Sequence, residues 1–102
     1  MLELRPNCEL CDVDLPPDAP DARICTYECT FCARCVDTVL HDVCPNCGGG
    51  FERRPIRPRA AWRATTGLVN DPADTRRRHT PYSPAEIEEL AAGLRSTPPA
   101  ER

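Results

Sequence analysis

Eight cysteines, all between residues 8 and 47, are the side chains whose type and spacing could do chemistry in this chain. They follow the pattern Cys8-x2-Cys11-x13-Cys25-x3-Cys29-x2-Cys32-x2-Cys35-x8-Cys44-x2-Cys47. A C-x-x-C pair grips one tetrahedral metal ion well, because the chain turns back tightly and points both thiolates at one centre. Eight thiolates fill two closed sites, which is typical of structural zinc and leaves no open position for a catalytic water. We therefore expect two Zn²⁺ ions per chain and no enzymatic activity.

The central stretch ECTFCARC leaves the sharing of ligands open. Cys32 can close a C-x-x-C turn with Cys29 or with Cys35, but not with both. In a sequential arrangement the first four cysteines share one ion. In an interleaved arrangement Cys8 and Cys11 are joined instead by Cys32 and Cys35.

Iron binding and disulfide formation are the two alternatives to zinc binding. The segment CPNCG, residues 44–48, also occurs in rubredoxin-like iron sites, but those use one site with flanking aromatic residues, and only 5% of this chain is aromatic. The N-terminal stretch MLELRPNCELC lacks the apolar run of a secretory signal, and the sequence has no membrane-spanning stretch. We therefore predict a cytoplasmic protein, in which reduced thiols favour metal over disulfides.

The elements that must position these cysteines are short. With 12 prolines in 102 residues and few aromatic residues, the chain cannot build a large core, so its fold needs a metal staple. The segment 24–27 is the best strand candidate. Residues 33–43 place Val36, Val39, Leu40 and Val43 at the spacing of one helical face. The sequence thus predicts a double-zinc module over residues 1–51.

The composition changes after residue 51. Residues 52–82 combine RRPIRPR with a polar stretch, which predicts an extended arginine-rich segment and a linker. Ser83-Pro84-Ala85-Glu86 forms a capping box, which predicts a short amphipathic helix over residues 83–96. Residues 97–102 are expected to be a disordered tail.

Charge is distributed unevenly between the two halves. Residues 1–51 hold nine acidic residues against three arginines, whereas residues 52–102 hold ten arginines against seven acidic residues. An acidic zinc module suits an unknown protein partner and repels nucleic acid. The alternative is nucleic-acid binding by an arginine strip with stacking aromatic rings. That strip comprises Arg53, Arg54, Arg57, Arg59 and Arg63, with Phe51 and Trp62. A third possibility is that this basic segment is a solvated tail, or that it folds back on the acidic module by charge attraction.

The order of the cysteines resembles the cross-brace of RING fingers, with Cys29 replacing the usual histidine. The resemblance covers residues 8–47 and extends to Leu10 and Pro45, which match apolar and proline positions and are candidate partner-binding residues. It implies interleaved pairing. Site 1 would be Cys8, Cys11, Cys32 and Cys35, and site 2 would be Cys25, Cys29, Cys44 and Cys47. It also implies ubiquitin-ligase-like activity, which Gly48 disfavours because many such ligases carry a basic residue there.

The stretches RPNCELCD, ARIC, ECTFCARCV, CPNCGGGF and RPIRP are also similar to a DUF1272-like family of small bacterial cysteine-rich domains of unknown function. This resemblance implies a bacterial source and a fold but no activity. The exclusive use of arginine among the 13 basic residues fits the same source. Neither His41 nor His79 is needed as a ligand, since no ligand is missing.

Together these features predict a small metal-stapled α+β fold. Its RING-like or treble-clef zinc module has little regular structure and is followed by a C-terminal arm and a short helix. The predicted function is that of a protein-interaction or regulatory adaptor. No small-molecule substrate is evident, and no membrane association is expected.

Overall fold

The computed structural model describes residues 1–102, which form a small α+β fold. Three short antiparallel strands make its sheet: β1 (Ala22–Ile24), β2 (Thr30–Cys32) and β3 (Glu52–Arg53), in the order β2-β1-β3. In the register of the sheet, Arg23 lies opposite both Phe31 and Arg53. The sheet therefore joins residues 22–24, which lie between Cys11 and Cys25, to residues 52–53, which follow Cys47.

The first helix begins where β2 ends. Helix α1 (Ala33–Cys35) starts at Cys32, whose side chain accepts the backbone N–H of Cys35, and continues as a wider π turn over Val36–Leu40. His41 and Asp42 then adopt left-handed conformations, with φ of 50° and 61°, and end the helix. The helix is thus shorter than the 33–43 segment that the periodicity predicts.

The π turn also changes which residues face the core. Val36 and Leu40 are buried, whereas Val39 is 43% exposed. A π turn places more residues in each turn than an α-helix, so a pattern spaced for an α-helix no longer keeps all its members on one face. Val43 is buried after the helix has ended.

Cysteines form a large share of the small core. A single cluster of 14 buried residues contains six of them, together with Leu15, Leu40 and the two phenylalanines. Phe31 and Phe51 meet edge to face, with ring centroids 5.4 Å apart. Phe51 therefore packs inside the fold and offers no stacking surface to nucleic acid. Because the cysteines that would bind metal are part of this core, loss of a bound metal would disturb the packing directly.

Helix α2 (Pro84–Leu94) begins at Ser83 with both halves of the predicted capping box. Its buried residues are Ile87 and Ala91, and it packs against the π turn of the first helix. Leu90 and Leu94 are only half-buried. At 11 residues it is the longest helix, and no helix in the chain has the length and apolar character needed to span a membrane.

The rest of the C-terminal arm, which we define as residues 58–102, also packs on the module. The backbone N–H groups of Asp74 and Thr80 donate to the carbonyls of Glu3 and Glu9. Arg77 pairs with Asp12 and Asp14. Residues 74–80, which lie in the segment predicted to be a linker, therefore contact the module directly.

The chain end also differs from the expected disordered tail. Residues Pro99–Glu101 form a 3₁₀ turn, and the Arg102 guanidinium donates to the carbonyls of Asp42 and Gly48. These bonds hold the chain end beside the glycines that follow the last cysteine.

Candidate metal centre

Four cysteine thiols from two distant stretches meet in site 1. The sulfur atoms of Cys8, Cys11, Cys32 and Cys35 all lie within 4.8 Å of one another. The Sγ atoms of Cys11 and Cys32 are 3.8 Å apart. These are the four residues of the interleaved site 1, and the sequential grouping is absent.

Local backbone structure positions both halves of site 1. In the first half, the Cys8 N–H donates to Val13 and the Asp12 N–H donates to Cys8, while Asp12 adopts φ 66°. In the second half, Cys32 ends β2 and Cys35 ends α1. The strand-to-helix junction therefore supplies one C-x-x-C pair and a tight turn supplies the other.

Site 2 brings together three thiols and places a fourth beside them. The sulfur atoms of Cys25, Cys44 and Cys47 lie within 4.8 Å of one another. Cys29 is buried next to this group, and hydrogen bonds from the thiols of Cys25 and Cys44 lower the pKa of Cys29 to about 2. The hydrogen bond with Cys29 in turn raises the pKa of Cys25 to about 11. Three of the four predicted ligands are thus tightly grouped, and Cys29 is their immediate neighbour.

A turn after Cys44 forms the closing half of site 2. The Gly48 N–H donates to Cys44, and the Cys44 N–H donates to Gly49. Gly48 has φ +80°, a conformation that residues with a Cβ rarely adopt. The Gly49 N–H then points at the Cys47 sulfur at 3.4 Å. A backbone N–H that donates to a thiolate stabilises its charge, so this turn suits a metal-bound sulfur.

The donor chemistry of both groups fits a thiophilic metal ion. All the converging atoms are sulfur, and soft thiolates select zinc, copper(I) or iron over magnesium or calcium. Without a cation the crowded thiols of a group share protons. At Cys35, burial first and then the neighbouring Cys32 thiol raise the pKa of the thiol. A divalent ion would replace those protons and favour the thiolates.

A buried polar network joins the two sites, and no pattern in the sequence predicts it. Glu9 is 4% exposed although it lies inside the first C-x-x-C pair. Its carboxylate accepts the Thr30 N–H at 2.6 Å and the Asn46 side-chain amide at 3.3 Å. Thr30 lies between Cys29 and Cys32, and Asn46 lies between Cys44 and Cys47. A buried Glu9 and an exposed Glu9 would have the same sequence around them, so only the structure identifies the network.

The network extends to the C-terminal arm and to one arginine. The Thr80 hydroxyl donates to the side-chain Oδ1 of Asn46 at 2.8 Å, while the Arg5 guanidinium donates to the Glu9 carboxylate at 3.3 Å. Arg5 also lies near enough to Cys29 to lower the pKa of that thiol. The arm and both cysteine groups therefore share one set of buried hydrogen bonds.

The structure divides the predicted arginine strip in two. Arg54 is 2% exposed, and its guanidinium donates to the carbonyls of Arg5, Leu15 and Pro16. Arg57 is half-buried and donates to the carbonyls of Leu2 and Asp71. These two side chains hold the module together and are not free to contact phosphate. The residues that remain exposed are Arg53, Arg59, Trp62 and Arg63.

The other predicted residues lie near the sites without ligating them. Leu10 is half-buried and packs on the core, and Pro45 is buried in the closing turn. His41 ends the first helix, while the His79 ring contacts the Thr80 carbonyl at 2.7 Å. Neither histidine belongs to a cysteine group.

Comparison with known proteins gives a family for this arrangement. The family described as "Protein of unknown function (DUF1272)" matches residues 1–57. The chain is also 69% identical over 58 residues to "Uncharacterized protein R02474" of Rhizobium meliloti (strain 1021), an alignment that covers 57% of this chain and 69% of the relative. No solved structure matches. The matched region contains every cysteine of both groups and ends before the C-terminal arm, and we conclude that the chain belongs to the DUF1272 family.

Proposed function

We propose that the two cysteine groups hold two structural zinc ions and that Cys29 is the fourth ligand of site 2. The interleaved grouping of the thiols carries this proposal, because each ion would then join an early and a late stretch of the chain. The burial of Cys29 beside Cys25 and Cys44 supports its role. Structural zinc contributes on the order of 10 kcal/mol per site to the folding of small domains.

Cobalt substitution tests the ligand sets. Co²⁺ bound by four thiolates absorbs strongly in the visible range, so titration of the reduced chain should saturate at two equivalents with one type of spectrum. Cys29→Ser should alter the spectrum of the Co²⁺ ion in site 2 and leave that of site 1 unchanged. Cys35→Ser should alter the spectrum of site 1 and leave that of site 2 unchanged. An unchanged Cys29→Ser spectrum would remove Cys29 from the ligand set.

With both sites closed by sulfur, the chain is a non-enzymatic protein-interaction or regulatory adaptor of the bacterial cytoplasm. Closed four-thiolate sites offer no position for an activated water, and no thiol is left over as a nucleophile. Two zinc ions offset only half of the eight thiolate charges, so residues 1–51 carry a net charge of about −10 when metallated. Arg77 and Arg78 of the arm neutralise part of it through ion pairs. The remaining acidic surface favours a partner protein with a basic face.

Nucleic-acid binding is the second candidate, and the exposed Arg59, Trp62 and Arg63 favour it. One pair of experiments separates the two functions. Affinity purification with the zinc-loaded chain should yield a protein that rebinds in purified form and is lost after chelation. Fluorescence anisotropy with single-stranded RNA and DNA should show no binding at 150 mM salt.

Nucleic-acid binding that weakens steeply with salt and is lost in Arg59→Ala/Arg63→Ala would give the function to the second candidate. Arg76→Ala/Arg95→Ala is the matched control, because it also removes two exposed arginines but both lie outside the arginine strip.

A further inference from the structure

A groove lies between the closing turn of site 2 and helix α2. Its volume is about 660 Å³, within the range of roughly 300 to 1,000 Å³ that is typical of binding pockets. Pro45 and Gly48 line it from the turn, and Leu90 and Leu94 line it from the helix. Gly93 also lines it, and a Cβ at Gly93 would meet no atom within 4 Å. The apolar stripe of α2 is therefore only partly covered by its own chain.

The groove combines this apolar lining with negative charge. Glu86 and Glu89 of α2 line it, and so does Cys47, an exposed thiol of site 2. Hydrogen bonds with Ser83 lower the pKa of Glu86, so its carboxylate is ionised at neutral pH. The occupant that such a groove fits is an aromatic side chain flanked by cations.

The chain itself presents such a segment. Residues 58–66 are all exposed, and they include Arg59, Trp62 and Arg63. Trp62 is 77% exposed. Exposed tryptophan and arginine side chains are the commonest anchors of protein interfaces.

This loop is held in one shape by its own backbone. The N–H groups of Leu68 and Val69 donate to the carbonyls of Pro58 and Arg59. Gly67, at φ +80°, contacts the Ala60 carbonyl so closely that a Cβ would clash with it. A preformed loop loses little conformational entropy on binding.

We propose that the groove binds the Trp62 loop of a second copy of this chain, so that two copies form a reciprocal dimer. Trp62 enters the apolar part of the groove, while Arg59 and Arg63 face Glu86 and Glu89 of the partner copy. Because each copy supplies one loop and one groove, a two-fold arrangement satisfies both contacts. Small interfaces of this kind are transient, so dimers should form at concentrations on the order of 100 μM.

Sedimentation equilibrium of the zinc-loaded chain tests this proposal. The mass should rise from 11.3 kDa towards twice that value with concentration, and the rise should weaken as salt is added. Trp62→Ala removes the anchor and Gly93→Phe fills the groove, and each should weaken association at least tenfold. Gly93→Ala is the matched control and should associate like the parent chain. Equal melting temperatures would show that the variants fold.

Trp62 is the only tryptophan, so its fluorescence reports directly on the contact. Its emission should shift to shorter wavelength as the parent chain is concentrated, and should stay constant in Gly93→Phe. A chain that remains at 11.3 kDa up to about 1 mM would overturn the proposal. Association undiminished in Trp62→Ala or Gly93→Phe would also overturn it. Binding of a peptide copy of residues 57–66 to a strictly monomeric chain would assign the groove to a basic aromatic segment of another protein.

Discussion

Glu9 and Arg54 are two buried charged residues with different structural tasks. Glu9 accepts hydrogen bonds from Thr30 and Asn46 and so ties the two cysteine groups together. Arg54 donates to three backbone carbonyls of the N-terminal segment. A buried charge costs free energy unless hydrogen bonds compensate it, and these contacts offset part of that cost for both side chains. The Nε of Arg54 is buried without a hydrogen-bond partner.

We predict that Glu9→Gln lowers the free energy of unfolding by about 2 to 3 kcal/mol. The amide of glutamine would turn an N–H group towards the Thr30 N–H or the Asn46 amide, so one buried donor would lose its acceptor. Urea unfolding at a fixed free zinc concentration measures the change.

Glu88→Gln is the matched control, because Glu88 is exposed on α2, and it should change stability by less than about 0.5 kcal/mol. Equal stability of Glu9→Gln and Glu88→Gln would show that the carboxylate does not hold the two sites together.

At the scale of elements, helix α2 packs against the cysteine-rich module and stabilises it. Ile87 is 2% exposed and belongs to the same core cluster as the cysteines. A helix of this length is marginal in isolation, so its stability comes from this contact and from its capping box. The family match ends at residue 57, so α2 and the rest of the arm cover the module from outside the matched region.

We predict that Ile87→Ala costs about 2 to 4 kcal/mol, since it removes buried methyl groups and leaves a cavity. Ile56→Ala is the matched control because Ile56 is 46% exposed, and it should cost less than about 1 kcal/mol. Thermal unfolding of the zinc-loaded variants compares them. If both variants melt with the parent chain, α2 is not docked on the module in solution.

Sequence patterns predict some helices and contacts correctly and miss others, for physical reasons. The capping box at Ser83 is a local motif, so it identified the start of α2 correctly. The α-helical periodicity of residues 33–43 predicts a longer first helix than the structure has, because periodicity carries no signal for the π turn or for the left-handed His41 and Asp42. The docking of residues 71–82 depends on contacts over more than 60 residues, such as Arg77 with Asp12, and no local pattern encodes them.

At the scale of the whole molecule, the cysteine spacing carried most of the information. The membership of site 1 and three members of site 2 follow the interleaved order that the RING-like resemblance implied. The cysteine spacing contains no information about how the C-terminal arm packs. The sequence predicts one arginine strip from Arg53 to Arg63, but the structure buries Arg54 and leaves Arg59 and Arg63 exposed, because burial is decided by the tertiary fold.

Metal stoichiometry tests the central claim most directly. Native mass spectrometry should be performed on the chain purified without added metal, before and after treatment with a chelator, with circular dichroism on the same samples. We predict two zinc ions per chain and loss of the fold when both are removed, because cysteines form much of the core. A single ion, bound iron, or a chain that stays folded without metal would contradict the double structural zinc site.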